Sequence, residues 1–555
     1  MSSINDIFNI GKLGIQAQQA AIQTTAHNIA NVNTDGYSRQ EVVFEETTPL
    51  DGSPGQVGTG VSATAILRKY DSFIEGQITD SRERYGNLDI QRSALSKIEN
   101  LFYDSQGSGI NKLIDDFFNA LQDLSSNPSG TPERVAVLSK ADALAGAINN
   151  VYSDLIQLQK DMNNQVNQTV ADVNRITTQI AGLNEKISQA ENIGQNANDY
   201  RDMRGRLLNE LAEKIDIQSF EDGTGQITVI GAGSVLLLER GNSWDLSVES
   251  NPDNNGYYNI VSNTSGSNNI DVTNRISEGR LKGLLTIRDS VTPDAIDNLD
   301  RLAAAVANEI NQVHRAGYGL GGSTGTNFFT PGFEAGDSVS AVARSTNSGT
   351  GNVSATINNP AQLTYQAYEL TFSGSNYTLT NKSTNTSQSG AYSDPTTFTF
   401  EGLSVTITGI HSGGDKYTIS AHKEAAQNIQ VAIAISDSDK IAAATASTSN
   451  RGDNRNALAI AQLQDKLAID GTSNFSNYYG SVAGEIGANS QSVNRTYTAQ
   501  KFSLEQLKNM RESVSGVSLD EEMANLMKYQ RSFEAAARLI TIGDELLQTI
   551  LKIAG

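Results

Sequence analysis

What the sequence lacks excludes several classes of protein. Among its 555 residues there is no cysteine, which excludes disulfides, thiolate catalysis and cysteine metal sites. The 41 Lys and Arg residues are outnumbered by 62 Asp and Glu residues, for a net charge of −21. Duplex nucleic acid and anionic membranes are therefore disfavoured as partners. No apolar run reaches the ~18 residues of a membrane span, and the first residues carry no signal-peptide pattern. We expect neither membrane insertion nor a cleavable secretory signal.

Residue patterns for catalysis or ligand binding are also missing. The four histidines are scattered along the chain: His27, His314, His411 and His422. None has a partner at metal-ligand spacing, and no Ser-His-Asp grouping accompanies them. Gly231 and Gly233 follow a predicted strand, but the next residues continue as strand, so we expect a hairpin instead of a dinucleotide-binding loop. We expect no catalytic residue, no cofactor and no metal site, and hence a protein that is not an enzyme.

The strongest periodic pattern lies near the C-terminus, in residues 519–553. Apolar residues recur there at every seventh position: Leu519, Leu526, Phe533, Ile540 and Leu547. A second set with the same spacing lies between them: Met523, Gln530, Ala537, Asp544 and Leu551. This alternation of three and four residues predicts a single helix with a coiled-coil seam. Ser518 followed by Glu521 predicts the N-terminal cap of that helix.

The N-terminal residues 4–32 show the same spacing. One set consists of Phe8, Ile15, Ile22 and Ile29, and the other of Ile4, Gly11, Gln18, Thr25 and Val32. At 1.5 Å per residue the two terminal helices would be roughly 44 and 52 Å long. Their matching patterns predict that the two ends of the chain pair with each other.

Polar and small residues weaken both seams, and a helix with an interrupted apolar stripe is marginal by itself. Two interpretations stay open: an ordinary intramolecular helix pair, or a coil that is completed only when many copies pack side by side. We take the apolar seam positions as candidate subunit-interface residues: Ile4, Phe8, Ile15, Ile22, Ile29, Leu519, Met523, Leu526, Phe533, Ile540, Leu547 and Leu551.

A distinctive motif stands where the first helix should end. Residues 26–39 read Ala-His-Asn-Ile-Ala-Asn-Val-Asn-Thr-Asp-Gly-Tyr-Ser-Arg, which predicts a helix end and an Asp-Gly turn before an extended segment. The motif resembles the signature of the bacterial flagellar rod, hook and hook-associated family. The matching signature residues are Asn28, Asn31, Thr34, Gly36 and Tyr37. Residues 519–540 resemble the opposite end of the same family.

The middle of the chain alternates helical and strand patterns. Apolar residues spaced by three and four predict a core-facing helix within residues 148–190. Residues 198–215, 299–317 and 452–460 resemble the hook–filament junction branch of the flagellar family. Short strands are predicted between residues 216 and 287, the last of them at 284–287.

A second strand-rich segment follows at residues 332–421, where alternation places Tyr368, Leu370 and Phe372 on one face. After Glu424 the pattern predicts helix to the end of the chain. Together these patterns predict an α+β multidomain fold: a discontinuous long-helix bundle with terminal coiled-coil helices and two inserted antiparallel β domains.

The predicted domains follow from these changes of pattern. Residues 1–45 form an N-terminal axial helix that pairs with a C-terminal axial helix in 516–555. The helical body combines 46–215, 286–331 and 422–515. The first β domain spans 216–285, and the outer β domain spans 332–421.

The family resemblance implies a structural subunit, a ring-forming adaptor between the flagellar hook and filament, outside the cell. It also implies export in an unfolded state by the flagellar export apparatus. The implied partners are further copies of itself, the hook protein, a second hook–filament junction protein and an export chaperone that binds the C-terminal helix. Two alternatives remain: a hook or distal-rod subunit, and a secreted adhesin on a flagellin-like scaffold, for which the Arg-Gly-Asp at 451–453 is the weak sequence support.

Overall fold

The computed structural model describes residues 2–51, 55–103, 109–263, 269–447 and 451–554. Helices predominate, with these bounds: α1 Ser2–Ala30, α2 Ser72–Phe102, α3 Ile110–Ser126, α4 Thr131–Glu191, α5 Asn198–Lys214, α6 Gly279–Thr286, α7 Thr292–Ala316, α8 Ala425–Asn428, α9 Arg455–Ala461, α10 Phe475–Ser515 and α11 Leu519–Ala554. The two predicted terminal helices are confirmed, with bounds within two residues of those expected.

The strands form antiparallel sheets in three parts of the chain. Those after α1 are β1 Gln40–Glu46, β2 Leu50–Asp51, β3 Gln56–Val57 and β4 Val61–Arg68. Those after α5 are β5 Ile217–Glu221, β6 Ile227–Gly231, β7 Val235–Glu239, β8 Asn242–Ser243, β9 Leu246–Ser250, β10 Tyr258–Ser262 and β11 Ile270–Asp271. Those after α7 are β12 Phe329–Thr330, β13 Ser338–Ala343, β14 Asn352–Ile357, β15 Ala367–Ser373, β16 Asn376–Asn381, β17 Ser387–Ala391, β18 Thr396–Phe400, β19 Leu403–Thr408, β20 Lys416–Ser420 and β21 Gln430–Val431.

The helical body is built around α4, which is 61 residues long. Its buried stripe confirms the core-facing helix expected within residues 148–190, because Val166, Val173, Ile180 and Ile187 have no exposed surface. The helices α3, α5, α6 and α7 pack against α4. Aromatic rings in mutual contact fill the centre of the body: Phe117, Phe118, Phe328, Phe329 and Phe475. Burial of one apolar stripe per helix is what holds such a body together.

The first β domain consists of a four-stranded sheet, β5-β6-β7-β8, and a three-stranded sheet, β11-β10-β9. The strand expected at 284–287 is wrong: these residues lie at the end of α6 and the start of the π-helical segment Ile287–Val291. The chain enters α6 at Gly279, whose φ of +80° favours glycine. Leu281 and Leu284 are fully buried at helical spacing. A short apolar run does not distinguish strand from buried helix, and here tertiary packing selected helix.

The outer β domain is one eight-stranded sheet in the order β17-β16-β15-β20-β13-β14-β19-β18. It bends at β13, whose first residues pair with β14 and whose later residues pair with β20. The predicted alternation is confirmed: Tyr368, Leu370 and Phe372 are buried, and the residues between them are not. The two halves of the sheet enclose a core that this domain supplies from its own strands.

The helix expected directly after Glu424 is wrong over most of residues 425–454. In the part of this stretch that the structure describes, residues 425–447 and 451–454, only the short α8 and a 3-10 segment, Ile435–Lys440, are helical, and β21 pairs with β12. Body side chains satisfy the backbone of this irregular stretch. The buried Arg134 donates to the carbonyls of Ser438 and Ile441, at 3.2 and 2.8 Å. Asn149 Nδ2 donates to the carbonyl of Ala426 at 2.7 Å. The distant Arg134 and Asn149 therefore replace the hydrogen bonds that a helix would have made.

The expected domain division stays a proposal, and the root of the outer domain bears on it. Phe333, Ile357 and Tyr365 are buried in the apolar core of the helical body, although they fall within residues 332–421. Asn308 of α7 donates to the Tyr365 hydroxyl at 2.6 Å. The outer domain is thus anchored in the main core at its root.

Two buried carboxyl groups predict an unusual dependence of stability on pH. Glu83 accepts a hydrogen bond from Ile217 N at 2.8 Å, and burial raises its pKa to about 8. Asp300 accepts from Glu424 N and Ala426 N, and burial raises its pKa to about 7. Each pKa is higher in the folded protein than in the unfolded chain. The stabilisation is therefore complete below the unfolded pKa and is lost as the pH rises through the folded pKa.

We expect the free energy of unfolding to fall as the pH rises from 6.5 to 8.5. Glu83→Gln should raise it by about 1–3 kcal/mol at pH 8 and flatten the profile, because the neutral amide avoids the cost of burying charge. Denaturant titrations at several pH values measure this, with the exposed Asp142→Asn as control. The pH range of the titration stays above 6.5 because burial lowers the pKa of His314 to about 4. At lower pH this histidine makes the free energy of unfolding fall as the pH decreases, which would oppose the effect of the two carboxyl groups. An unchanged profile in Glu83→Gln would contradict the prediction.

Candidate functional site

The two ends of the chain form an antiparallel helix pair. α1 lies along α11, and β1 and β4 cover another side of α1. A Cβ atom at Gly11 would be only 2.7 Å from Ile540 Cγ1, and one at Gly543 only 3.3 Å from Phe8 Cε1. A side chain at Gly11 would thus require Ile540 to move, and one at Gly543 would press against Phe8, so glycine favours this close approach of the helices.

The contact face of α11 differs in part from the predicted seam. Leu526, Phe533, Ile540 and Leu547 are half-buried, at the expected spacing of seven. The positions between them are occupied by the following residues: Glu522, Tyr529, Ala536 and Gly543. The spacing in the sequence predicts this second set one residue further along the helix, beginning at Met523. That prediction is wrong for this contact, since Met523 is 53% and Leu551 64% exposed. Ala536 lies against Gly11 and Gly14 of α1, and Gly543 leaves room for the side chains of Phe8 and Ile7.

The other residues predicted for the seam differ in their exposure to solvent. On α1, four predicted residues are half-buried: Phe8, Ile15, Ile22 and Ile29. Leu519 is 48% exposed, and the side chain of Ile4 lies outside the described residues. The assignment of all these residues to a subunit interface stays a prediction.

The signature loop follows α1 and is held by short-range contacts. Asn31 Nδ2 donates to the carbonyl of His27 at 3.1 Å, and Thr34 Oγ1 donates to Asn31 Oδ1 at 3.1 Å. Gly36 has a φ of +71°, and a Cβ atom there would be 2.6 Å from Arg206 Cγ of α5. Both the left-handed backbone and the lack of space require glycine at this position.

Asn28 is the centre of the junction and is almost fully buried. Its Oδ1 accepts from the Tyr37 hydroxyl at 2.8 Å and from Gln40 N at 3.0 Å. Its Nδ2 donates to the carbonyl of Gln40 at 2.9 Å and to Glu522 Oε2 at 3.0 Å. One side chain thereby joins α1, the signature loop, β1 and α11. The carboxamide of asparagine offers two donor hydrogens and two acceptor lone pairs, and the only other side chain with this group, glutamine, is one methylene longer.

A second group of contacts joins this centre to the helical body. Asp202 of α5 accepts from Ser38 N at 2.7 Å and Ser38 Oγ at 2.9 Å, and it pairs with Arg68 of β4 at 2.9 Å. Arg39 pairs with Glu521 at 2.7 Å and with Glu522 at 3.0 Å. Because Asp202 and Glu522 are nearly inaccessible to solvent, their bonds are charge-assisted and shielded from water, whereas Glu521 is exposed.

Arg511 closes the junction from α10. Its Nε lies 3.1 Å from Glu75 of α2, and its Nη2 donates to Ser38 Oγ at 3.3 Å. Burial lowers its pKa, but the neighbouring Glu512 and Glu75 outweigh that effect and raise it overall. Arg39 N also donates to the carbonyl of Ser515 at 2.8 Å. The last turn of α10 is therefore tied to the loop that follows α1.

Burial also raises the pKa of Tyr37, and the charges of Asp199, Asp202 and Glu522 add to the effect. The phenol consequently stays protonated and donates a hydrogen bond to Asn28 Oδ1.

Beside the loop lies a cavity of about 530 Å³, lined by the signature loop, α2, α5 and α10. The junction holds the terminal helix pair against the helical body, and its charged side chains form ion pairs with one another.

Sequence patterns identified only part of this junction. Asn28, Gly36 and Tyr37 are brought together as central residues, whereas Asn31 and Thr34 stabilise the turn. Asp202, Arg511 and Glu522 were missed, because each is one charged residue among many and only long-range contacts distinguish them. A possible signal for Glu522 was its position on the seam face, seven residues before Tyr529 and fourteen before Ala536.

The other candidate sites have structural explanations. The predicted hairpin at Gly231 and Gly233 is confirmed, with Gly231 paired to Val235. Asp453 of the Arg-Gly-Asp tripeptide accepts bonds from Thr445 and Arg455, and these lower its pKa. Within the described residues there is no group of three or more His, Asp or Glu that could hold a metal ion. None of the helices in that part of the chain has the length and apolarity that a bilayer crossing requires.

Family models match four separate parts of the chain. A model for the FlgK helical domain of flagellar hook-associated proteins matches residues 95–329, and one for the D2-like domain of flagellar hook-associated protein 1 matches 342–421. Models for the flagella basal body rod protein and for the C-terminal region of basal body rod FlgEFG proteins match 8–37 and 511–553.

Relatives extend over almost the whole chain. Flagellar hook-associated protein 1 of Escherichia coli K12 is 28% identical, covering 99% of this chain and all of the relative. The protein of the same description from Bacillus subtilis 168 is 28% identical over 98% of this chain and 96% of the relative. The solved flagellar hook junction protein FlgK of Burkholderia pseudomallei shares the fold, with a TM-score of 0.69 at 20% identity over 79% of this chain and all of that one.

Paired terminal helices, a signature loop that locks them to a helical body, and inserted β domains define a structural component of the bacterial flagellum. Within that class, the chain belongs to the flagellar hook-associated protein 1 family.

Proposed function

We propose that this protein is a ring-forming adaptor that joins the flagellar hook to the filament and assembles through its terminal helices. The observation that carries the proposal is an uncovered apolar stripe on α11. Its members recur at spacings of three and four residues and are 41–80% exposed: Leu539, Ile542, Leu546, Ile550 and Ile553. A continuous exposed stripe of this kind marks a surface that another molecule covers.

The free face of α1 has the opposite character. Amide side chains and one lysine recur there at spacings of three and four and are exposed: Asn5, Asn9, Lys12, Gln16, Gln19 and Gln23. Such a hydrated face suits the aqueous lumen of an axial tube. The helix pair thus offers one face for neighbouring copies and one for water.

The signature junction supports the same proposal. Asn28, Asp202 and Arg511 fix the direction in which the helix pair leaves the body. In a ring, the position of every body relative to the axis would then follow from the packing of the terminal helices. The residues of the junction would transmit force between the inner tube and the outer domains.

Partners and location follow from the family. We infer that further copies of this chain, the hook protein below and a second junction protein above are its neighbours in the assembled structure, outside the cell. Export in an unfolded state by the flagellar apparatus, and an export chaperone on α11, belong to the same proposal. The exposed apolar residues of α11 support a need for such protection before assembly.

Two alternatives are less well supported. A hook or distal-rod subunit would share the terminal helices, but the long α4 and the match over residues 95–329 favour a hook-associated protein. An adhesin would need a displayed recognition motif, and the carboxylate of Asp453 is engaged by its own neighbours.

Electron microscopy of flagella from a strain that lacks this gene tests the proposal. We expect hooks without filaments, and restored filaments when the gene is supplied again. A truncated rod without a hook would instead favour the rod alternative. Normal filaments in the deletion strain would overturn the adaptor function.

A further inference from the structure

A cleft of about 640 Å³ separates the helical body from the two β domains. Tyr152 of α4 and Asp297 of α7 line its body side, Asn254 lines the side of the first β domain, and Val342 and Glu369 line the side of the outer domain. The hydrogen bonds that cross between the two β domains, within the described residues, both come from Ser345. Its N and its Oγ donate to the two carboxylate oxygens of Asp253, each at 2.6 Å.

The Asp253 side of this contact is held rigidly. Asn251 Oδ1 accepts from Asp253 N at 2.9 Å and caps the short 3-10 turn Pro252–Asn254. The neighbouring Asn254 Nδ2 donates to Asp289 Oδ1 at 2.8 Å. Asp289 in turn pairs with Arg288, whose side chain has no exposed surface. The acceptor is therefore fixed to the helical body before any partner reaches it.

The Ser345 side is also ordered by its own domain. Residues 344–347 form a turn in which Asn347 N donates to the carbonyl of Arg344 at 3.0 Å. The Asn347 side chain accepts from Lys416 N and donates to the carbonyl of Lys416. Both halves of the contact are thus preorganised, so little conformational entropy is lost when they meet.

The opposite end of the outer domain is its root. Tyr365 is buried in the main core, Gln366 donates to Asp470 at 2.7 Å, and His422 lies 2.7 Å from Asp297. The outer domain is therefore fixed at one end by packing and at the other by a single carboxylate. Between them the cleft leaves its sheet face uncovered, with Val342 50% exposed.

We propose that Ser345 and Asp253 form a latch that sets the tilt of the outer β domain, and that release of the latch lets this domain rock about its root. Asp253 and Ser345 are both exposed, so water competes for the bond and the latched and released forms coexist. Loss of one charge-assisted contact should shift their ratio by about five- to tenfold toward the released form.

Distance measurements between two spin labels test this latch in the full chain. The absence of cysteine allows Asp154→Cys on α4 and Ser375→Cys on the outer domain to be the only labelled sites. We expect one narrow distance distribution in the parent. Asp253→Ala removes both bonds and should broaden the distribution and displace its mean. Ser345→Ala removes only the hydroxyl bond, since the backbone N–H can still donate, and should have a smaller effect of the same kind. The double variant should match Asp253→Ala.

Ser348→Ala is the matched control, since Ser348 lies in the same loop and its hydroxyl does not contact Asp253. It should leave the distribution unchanged. A distribution that stays narrow in both Asp253→Ala and Ser345→Ala would overturn the latch, as would broadening in Ser348→Ala of the same size. Thermal unfolding of each variant, expected to match the parent, separates domain rocking from loss of fold.

Discussion

Asn28→Ala should abolish filament growth while the helical body and both β domains stay folded. The substitution leaves the buried Gln40 N–H and carbonyl, the Tyr37 hydroxyl and the Glu522 carboxylate without their shared partner. Each buried group left unsatisfied costs about 1–3 kcal/mol, and more for a charge. Because the four groups relax together, we expect about 2–4 kcal/mol less stability for the docked helix pair. Hydrogen exchange in α1 and α11, together with filament counts in the complemented deletion strain, measures the effect.

Asn31→Ala is the matched control for this experiment. Asn31 belongs to the same signature, but it is less buried, and within the described residues its side chain bonds to His27 and Thr34 of its own turn. We expect a loss below about 1 kcal/mol and near-normal filaments. Asn28→Asp provides a second check, since it keeps the shape but places another carboxylate beside Glu522. Wild-type protection of α1 in Asn28→Ala would show that the junction does not hold the helix pair.

A double substitution on the apolar stripe of α11, Ile542→Asp with Leu546→Asp, should have the other large effect. Both side chains are exposed in the single chain, at 49% and 44%, so the monomer should fold and resist denaturation like the parent. In an assembled ring the two carboxylates would be buried without partners, which costs several kcal/mol per subunit. We therefore expect soluble, exported monomer and no filament. Thermal unfolding of the monomer and microscopy of the complemented strain measure the two parts.

The control is Thr541→Asp, on the polar face of the same helix turn, where a new carboxylate stays in water. It should support filament growth. If the stripe variant also assembled filaments, the apolar stripe would not be a subunit contact. If instead the stripe variant unfolded as a monomer, the stripe would belong to the internal fold, contrary to its exposure.

Local and periodic features were predictable from the sequence. The two terminal helices, the core face of α4 and the alternating strands of the outer domain all depend on spacings of 3.6 or 2 residues, which survive in any tertiary context. The signature loop was recognised by its resemblance to the flagellar family motif, and the structure supplies the physical reason for Gly36 and Asn28. These features suffice to place the chain among paired-helix axial proteins.

Tertiary contacts decided the rest. The seam of α11 uses Glu522 and Gly543 instead of Met523 and Asp544. Glu522 is held there by Asn28 and Arg39, and Gly543 accommodates the side chains of Phe8 and Ile7. Arg134 and Asn149 stabilise an irregular stretch after Glu424 that would otherwise need helical hydrogen bonds. Packing against the body turned residues 284–286 into helix.

The sequence by itself thus determined the long helices, the alternating strands of the outer domain, the apolar faces of both, and the motif that ends α1. Only the tertiary structure decided how those segments are joined. Asp202, Arg511 and Asp253 each gain their role from a partner more than 90 residues away. A single charged residue carries no periodicity, and its partner is defined only once the chain has folded.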